Sequence, residues 1–159
     1  MNTPAAKPRL VIDADDAAFS LKDVIVAHLR ERGYDITDLN LAKQKKCDYP
    51  EIGYNLAQQI AAKKYDRGIL ICGTGLGMAM IANKVPGVWA GVCHDTFSAE
   101  RLKKSNDANV LTMGERVIGP ALAKMVVDHW LASEFSGGGS APKVAKLREL
   151  EHQSFHPQP

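Results

Sequence analysis

Short apolar segments alternate with segments of helical periodicity along the whole of this chain. The pattern predicts strands at 9–15, 34–40, 66–75, 88–94 and 108–114, helices at 18–34, 49–65, 76–85, 96–106 and 119–135, and a polar loop at 41–48. The stretches ILIC and VWAGVC are continuously apolar, as expected for strands that are buried on both faces of a parallel sheet. The alternation therefore predicts an α/β fold, a three-layer αβα sandwich around a five-stranded parallel, Rossmann-like sheet.

Length, charge and cysteine content exclude several classes of protein. At roughly 150 residues per domain, 159 residues make one domain. The net charge of +2 is too small for a nucleic-acid binder that relies on bulk electrostatics. No apolar run approaches the roughly 18 to 20 residues of a membrane span, and no secretory signal is expected in the first ten residues. Three cysteines without a CxxC pair argue against a disulfide scaffold or a metal site and favour a reduced, cytoplasmic setting.

Composition also divides the chain into segments. We expect a flexible leader at 1–8, a single α/β domain at 9–135 and a glycine-rich linker, SGGGSAP, at 136–142. A short helix is predicted at 143–152, where Val144, Leu147 and Leu150 recur every three residues. A helix of this length is only marginally stable alone in water. We therefore expect it to dock on another surface, with a second subunit as the candidate. The tail at 153–159 is expected to be disordered.

Three segments with polar or reactive side chains follow predicted strands. They are Asp13-Ala14-Asp15-Asp16, Cys72-Gly73-Thr74-Gly75-Leu76-Gly77 and Cys93-His94-Asp95. Because ligands of open α/β sheets bind beyond the carboxyl ends of the strands, these segments are the candidate binding loops.

The Cys72 segment is the most informative of the three. A cysteine between a strand and a helix N-terminus faces the positive end of the helix dipole, which favours the thiolate, a usable base or nucleophile. The glycines would let backbone amides approach a phosphate or an enediolate oxygen. A small buried cysteine in a tight glycine turn is an equally good interpretation of these residues alone. A cysteine-phosphatase loop is excluded, because Met78 stands where it needs an arginine, and the G-x-G-x-G pattern on the third strand is a poor dinucleotide fingerprint.

Several longer strings together resemble one known family. They are the Asp13–Asp16 segment, Asp48-Tyr49-Pro50, ILICGTGLGMAMIANKVPGV, SNDANVLTMGERVIG and LAKMVVDHWLASEF. Over about residues 9 to 150 the chain resembles the type B ribose-5-phosphate isomerase family, which includes galactose-6-phosphate isomerase subunits. The resemblance implies an aldose–ketose isomerase that uses no metal and no organic cofactor and moves a proton through a cis-enediolate.

The resemblance also implies roles for individual residues. Cys72 matches the catalytic base, Thr74 a residue of ring opening or proton relay, and Arg116 a phosphate-binding arginine. The remaining matches are to substrate-binding positions: Asp15 and Asn106 for sugar hydroxyls, Tyr49 for the pocket wall, and Gly73, Gly75 and Gly77 for enediolate stabilisation. Family members are dimers or tetramers in which the neighbouring subunit's C-terminal segment completes each site.

Four positions depart from the family pattern. Asp16 and Ser105 replace histidines that bind phosphate and open the sugar ring, and Gly139 and Lys143 stand where arginines are usual. Phosphate would then be held by a set of basic residues that includes Lys143 and Arg116, with Arg101 or Lys104 as further candidates.

The missing ring-opening histidine leaves the substrate open. His94 could take over that role, or the substrate needs no ring opening, as with a tetrose 4-phosphate, whose O4 is blocked. Ribose 5-phosphate and tetrose 4-phosphate are thus both retained. A catalytically silent sugar-phosphate-binding homologue is the alternative outside enzymes.

Overall fold

A computed structural model describes residues 7–155; residues 1–6 of the predicted leader and 156–159 of the predicted tail lie outside it. The strands are β1 (Leu10–Ala14), β2 (Ile36–Asp38), β3 (Arg67–Cys72), β4 (Ala90–Val92) and β5 (Val110–Gly114). The helices are α1 (Phe19–Glu31), α2 (Leu41–Gln44), α3 (Tyr49–Ala61), α4 (Leu76–Ala82), α5 (Thr96–Lys104), α6 (Pro120–Leu131) and α7 (Ala141–Phe155).

The five strands form one parallel sheet in the order β2-β1-β3-β5-β4. The strand β5 lies between β3 and β4, so the last two strands are not in chain order. The ladders that join β3 to β1 and to β5 are the longest of the sheet. Because all strands are parallel, the carboxyl ends of β1, β3 and β5 lie side by side at one edge.

Apolar side chains cover both faces of the sheet, as the αβα prediction requires. Alternate residues of β1 point to opposite sides: Leu10 and Ile12 join the core under α1 and α6, whereas Val11 joins the core under α3 and α4. Trp130 of α6 is completely buried in the first of these cores. The predicted three-layer α/β sandwich is confirmed.

The structure differs from the expected segment bounds at the ends of the domain. The linker predicted at 136–142 contains a 3₁₀ turn at Gly138–Ser140, and α7 is longer than the predicted helix at 143–152. Residues 153–155 of the predicted disordered tail form the last turn of α7. Within the leader, the Lys7 ammonium lies 4.6 Å from the centre of the Tyr34 ring.

The helix α7 packs against its own domain. Val144 is buried, Arg148 pairs with Asp107 at 2.6 Å, and the Glu151 carboxylate accepts the Trp89 indole N–H at 3.1 Å. Leu147 and Leu150 remain exposed, which leaves an apolar edge on the helix.

The segment at 41–48, predicted to be a polar loop, is partly helical, because its first residues form the single-turn helix α2.

Candidate active site

A cavity of about 450 Å³ opens at the carboxyl ends of β1 and β3. From β1 the chain proceeds to β2 on one side, whereas β3 lies on the other side of β1, so this is the topological switch point of the sheet. Open α/β sheets bind their ligands at such points. The lining residues come from the loops after β1, β3 and β5 and from α3 and α4: Asp15, Ala17, Tyr49, Cys72, Gly73, Thr74, Gly77, Met80 and Arg116.

The sulfur of Cys72 reaches this cavity although the residue is only 6% exposed. The backbone N–H of Gly75 donates a hydrogen bond to Sγ at 3.1 Å. A donated hydrogen bond stabilises a thiolate more than a thiol, because the acceptor then carries a full charge. The position therefore suits a base that faces a bound ligand.

Close packing requires glycine at two positions of this loop. Gly75 has φ +80°, and a Cβ there would lie 2.8 Å from the Met113 carbonyl carbon. A Cβ on Gly77 would lie 2.5 Å from the Tyr49 ring. The Gly75 amide is directed at the sulfur, which differs from the expectation that it contacts an enediolate oxygen.

Two charged side chains lie in the cavity with the sulfur. Burial raises the pKa of Asp15, the neighbouring charge of Asp16 adds to this rise, and the Arg116 guanidinium opposes it. The Arg116 side chain runs along Gly73, and no ion pair of its guanidinium occurs within residues 7–155. Asp16 itself is exposed and does not line the cavity.

Thr74 and Tyr49 complete the wall. The Thr74 Oγ1 accepts the N–H of Leu76 at 3.3 Å, which leaves the hydroxyl hydrogen to donate elsewhere. Tyr49 is the first residue of α3 and keeps 43% of its surface exposed. The Glu51 carboxylate accepts the Asp48 N–H at 3.0 Å and so fixes the start of this helix beside the cavity.

Asp13 precedes the cavity loop and lies deeper in the protein than Asp15. It is completely buried and accepts hydrogen bonds from the backbone N–H groups of Ala14 at 2.9 Å and Leu41 at 3.3 Å. Burial raises the pKa of Asp13 to about 6 despite these bonds and the nearby Lys22 ammonium.

The raised pKa of Asp13 predicts how stability depends on pH. Because the folded carboxyl holds its proton more tightly than the unfolded one, its contribution to the free energy of unfolding falls as pH rises from about 4 to about 6, by roughly 3 kcal/mol. In Asp13→Asn this contribution is absent, so the curve should be flatter in that interval. Urea unfolding of both proteins between pH 4 and 8 measures it. Parallel curves for the two proteins would contradict the assignment.

His94, which was predicted to be catalytic, does not line this cavity within one chain. Its Nε2 accepts the backbone N–H of Gly114 at 2.9 Å, and burial lowers its pKa. Both facts favour the neutral ring bonded to the end of β5. With Nε2 engaged in this way, the ring supports the strand and is not placed to open a sugar ring.

Asn106 and Lys143 line a second, separate cavity of about 340 Å³ together with Ser105, Ser140 and residues of α7. Within one chain they therefore do not join the cavity of Cys72. The further phosphate candidates Arg101 and Lys104 do not line the Cys72 cavity either, and both contact the carboxylate of Glu100.

Ala17 and Met80 are lining residues that the sequence analysis missed. Met80 is 69% exposed and lies one helical turn after Gly77, so the spacing of three residues could have indicated it. Apolar helical residues more often face a core, which is why the pattern alone did not single it out.

The sequence matches a known family and a known enzyme over most of the chain. The sequence model of the Ribose/Galactose Isomerase family matches residues 10–147. D-erythrulose-4-phosphate isomerase of Pectobacterium atrosepticum is 49% identical over 148 residues, which cover 92% of this chain and 97% of that protein.

Two solved structures also resemble this chain over most of its length. Ribose-5-phosphate isomerase B of Clostridium thermocellum has a TM-score of 0.87 at 42% identity, covering 92% of this chain and 99% of that one. The enzyme of the same name from Mycoplasma genitalium, solved with bound ribulose-5-phosphate, has a TM-score of 0.84 at 31% identity, covering 91% and 97%. None of the helices within residues 7–155 is long and apolar enough to cross a membrane.

Proposed function

The chain belongs to the ribose/galactose isomerase family and is a sugar-phosphate aldose–ketose isomerase, and we propose that Cys72 is the base that moves the proton in its reaction. The observation that supports this role is the placement of its sulfur, which reaches the cavity and receives the Gly75 amide. A sulfur held in this way lies at a fixed position beside the cavity, as a group that removes a proton from a bound substrate must.

In the proposed reaction the Cys72 thiolate removes the proton from the carbon next to the carbonyl. The electron pair of that C–H bond forms the double bond of a cis-enediolate, and the negative charge moves to the former carbonyl oxygen. The thiol then returns the proton to the neighbouring carbon, and the hydroxyl proton moves from one oxygen to the other. Thr74 is placed to relay that second proton, because its hydroxyl hydrogen is not used by the Leu76 amide.

Asp15 and Arg116 would hold the two ends of the substrate. The Asp15 carboxylate can accept hydrogen bonds from sugar hydroxyls, and the Arg116 guanidinium can bind phosphate oxygens in a bidentate manner. Within residues 7–155 no carboxylate forms an ion pair with the Arg116 guanidinium, so its charge is available to a phosphate. Tyr49 would form the wall beside them.

For the substrate we favour a tetrose 4-phosphate, interconverted between its aldose and ketose forms. No histidine of the described residues lines the Cys72 cavity, and Ser105 lies where the resembling family has its ring-opening histidine. A tetrose 4-phosphate cannot close into a furanose, so it needs no ring-opening acid. Ribose 5-phosphate is the second candidate, supported by the structural match to ribose-5-phosphate isomerase B.

Kinetics with both classes of substrate test this proposal. We expect kcat/KM for erythrose 4-phosphate or erythrulose 4-phosphate to exceed that for ribose 5-phosphate at least about tenfold, because the pentose must first open. In deuterated water the product should carry deuterium at the carbon that receives the proton. A higher kcat/KM for ribose 5-phosphate would defeat the tetrose assignment, and absence of solvent deuterium from the product of either substrate would argue for a hydride shift.

We also propose that the enzyme works as a homo-oligomer in which a second copy completes the site. Asn106 and Lys143 are polar and exposed. Within one chain they line a cavity separate from that of Cys72, so neither belongs to the Cys72 site of its own chain. The exposed edge of Leu147 and Leu150 beside them is a surface that a partner would cover. The cytoplasm is the proposed location, which suits three unpaired cysteines.

A further inference from the structure

No side chain within residues 7–155 holds the Arg116 guanidinium in place. Its backbone N–H donates to the Gly73 carbonyl at 3.1 Å, and its side chain lies along Gly73, where a Cβ would be 3.4 Å from Cδ. Among residues 7–155 no carboxylate forms an ion pair with its guanidinium. The direction of this side chain therefore depends on the placement of the loop that carries it.

The preceding residue, Glu115, anchors that loop to a different element. Its Oε2 accepts the backbone N–H of Leu21 at 2.9 Å, and its Oε1 accepts the Ser20 hydroxyl. Ser20 and Leu21 belong to the first turn of α1, whose N-cap residue Ala18 has no side chain able to cap it. Glu115 thus provides the capping acceptor and a negative charge at the positive end of this helix, from a distant part of the chain.

The start of α1 is in turn continuous with the loop of Asp15. The Ala18 N–H donates to the Asp15 carbonyl at 3.1 Å, and the Asp15 carboxylate accepts the Ala17 N–H at 3.2 Å. On its own side, the Glu115 N–H donates to the Cys72 carbonyl at 2.9 Å. One residue therefore connects the loops after β1, β3 and β5, which carry the three groups that face the cavity.

We infer that Glu115 is a positioning residue that sets the distance of Arg116 from Asp15 and Cys72, and so determines how tightly the phosphate of the substrate is bound. The inference rests on the proposed role of Arg116 in phosphate binding. Glu115 does not line the cavity itself and acts through its neighbour.

Three variants separate positioning from a general loss of stability. Glu115→Ala removes both bonds to α1, and Glu115→Gln keeps a side-chain oxygen to accept the Leu21 N–H. The matched control is Asp128→Ala, because Asp128 of α6 also ties α1 to the rest of the domain, through His28 at 2.9 Å and Arg32 at 3.3 Å, but at the far end of the helix.

The measurements are kcat, KM and the dissociation constant of inorganic phosphate, the last by calorimetry, which does not depend on turnover. We expect Glu115→Ala to raise KM and to weaken phosphate binding about tenfold each, with kcat changed less than about threefold. Glu115→Gln should restore most of the binding, and Asp128→Ala should leave both values unchanged. Ser20→Ala removes one of the two bonds and should give a smaller effect in the same direction, which keeps the test valid if Glu115→Ala folds poorly.

Unchanged KM and phosphate binding in a folded Glu115→Ala protein would overturn the inference, as would an equal loss in Asp128→Ala. Neither result concerns Cys72, whose role is tested separately by its own substitution. Conversely, an active Cys72→Ala protein would remove the proposed base while the effect of Glu115 on phosphate binding stayed measurable.

Discussion

Replacing Cys72 with alanine is expected to lower kcat/KM about a thousandfold or more, because the variant has no group at the position from which the proton is removed. The fold should survive the change. The side chain is small, the alanine methyl group fills most of its volume, and the Gly75 amide that bonded to sulfur lies beside a cavity that water can enter. Turnover of the best substrate, together with circular dichroism and the urea midpoint, measures both parts of this expectation.

Cys93→Ala is the matched control for this experiment. Cys93 is also buried at 3% exposure, but it lies in the core on the other face of the sheet, where burial raises the pKa of its thiol to about 11. It is therefore a neutral packing residue, and its replacement should cost some stability and no activity. Activity of Cys72→Ala close to that of the unsubstituted enzyme would reject Cys72 as the base. Loss of activity in both variants would indicate a general effect of cysteine removal.

The sequence was informative wherever one local pattern decides the outcome. Continuous apolar runs identified β3 and the strands beside it, and Pro50 and Pro120 marked the first turns of α3 and α6. The cysteine and glycine loop after β3 was recognisable because a strand end, a helix start and several glycines coincide there, one of which, Gly75, has a positive φ. These signals placed Cys72 and Asp15 near the same edge, whereas Arg116 was indicated by the family resemblance alone.

The order of the strands decides which of the predicted site residues one chain brings together. A residue that follows a strand contacts the end of the neighbouring strand. The local sequence does not show which strand that neighbour is. His94 follows β4, whose neighbour is β5 and not β3, so its imidazole meets Gly114 and not the Cys72 cavity. Asn106 and Lys143 likewise line a separate cavity, because α7 packs on the β4 side of the domain.

Loss of a buried arginine far from the active site is expected to destabilise the fold strongly. Arg67 begins β3, is 4% exposed, and directs its guanidinium at the C-terminal end of α6. It donates to the carbonyls of Trp130 at 2.9 Å and Ser133 at 3.0 Å and pairs with Glu134 at 2.5 Å. The Trp130 carbonyl lies in the last turn of α6 and also accepts the Ser133 N–H at 3.2 Å, and a cation at this end of the helix interacts favourably with the helix dipole.

Arg67→Ala should therefore lower the free energy of unfolding by about 3 to 5 kcal/mol, because it removes the buried hydrogen bonds to the carbonyls of Trp130 and Ser133 and opens a cavity beside Trp130. Glu134→Gln is the control: the Glu134 side chain is 77% exposed, so loss of this ion pair should cost less than about 1 kcal/mol. Urea unfolding at fixed protein concentration and pH measures both. A loss below about 1 kcal/mol in Arg67→Ala would mean that water replaces the guanidinium at the helix end, and α6 would then be held to the sheet by its apolar face alone.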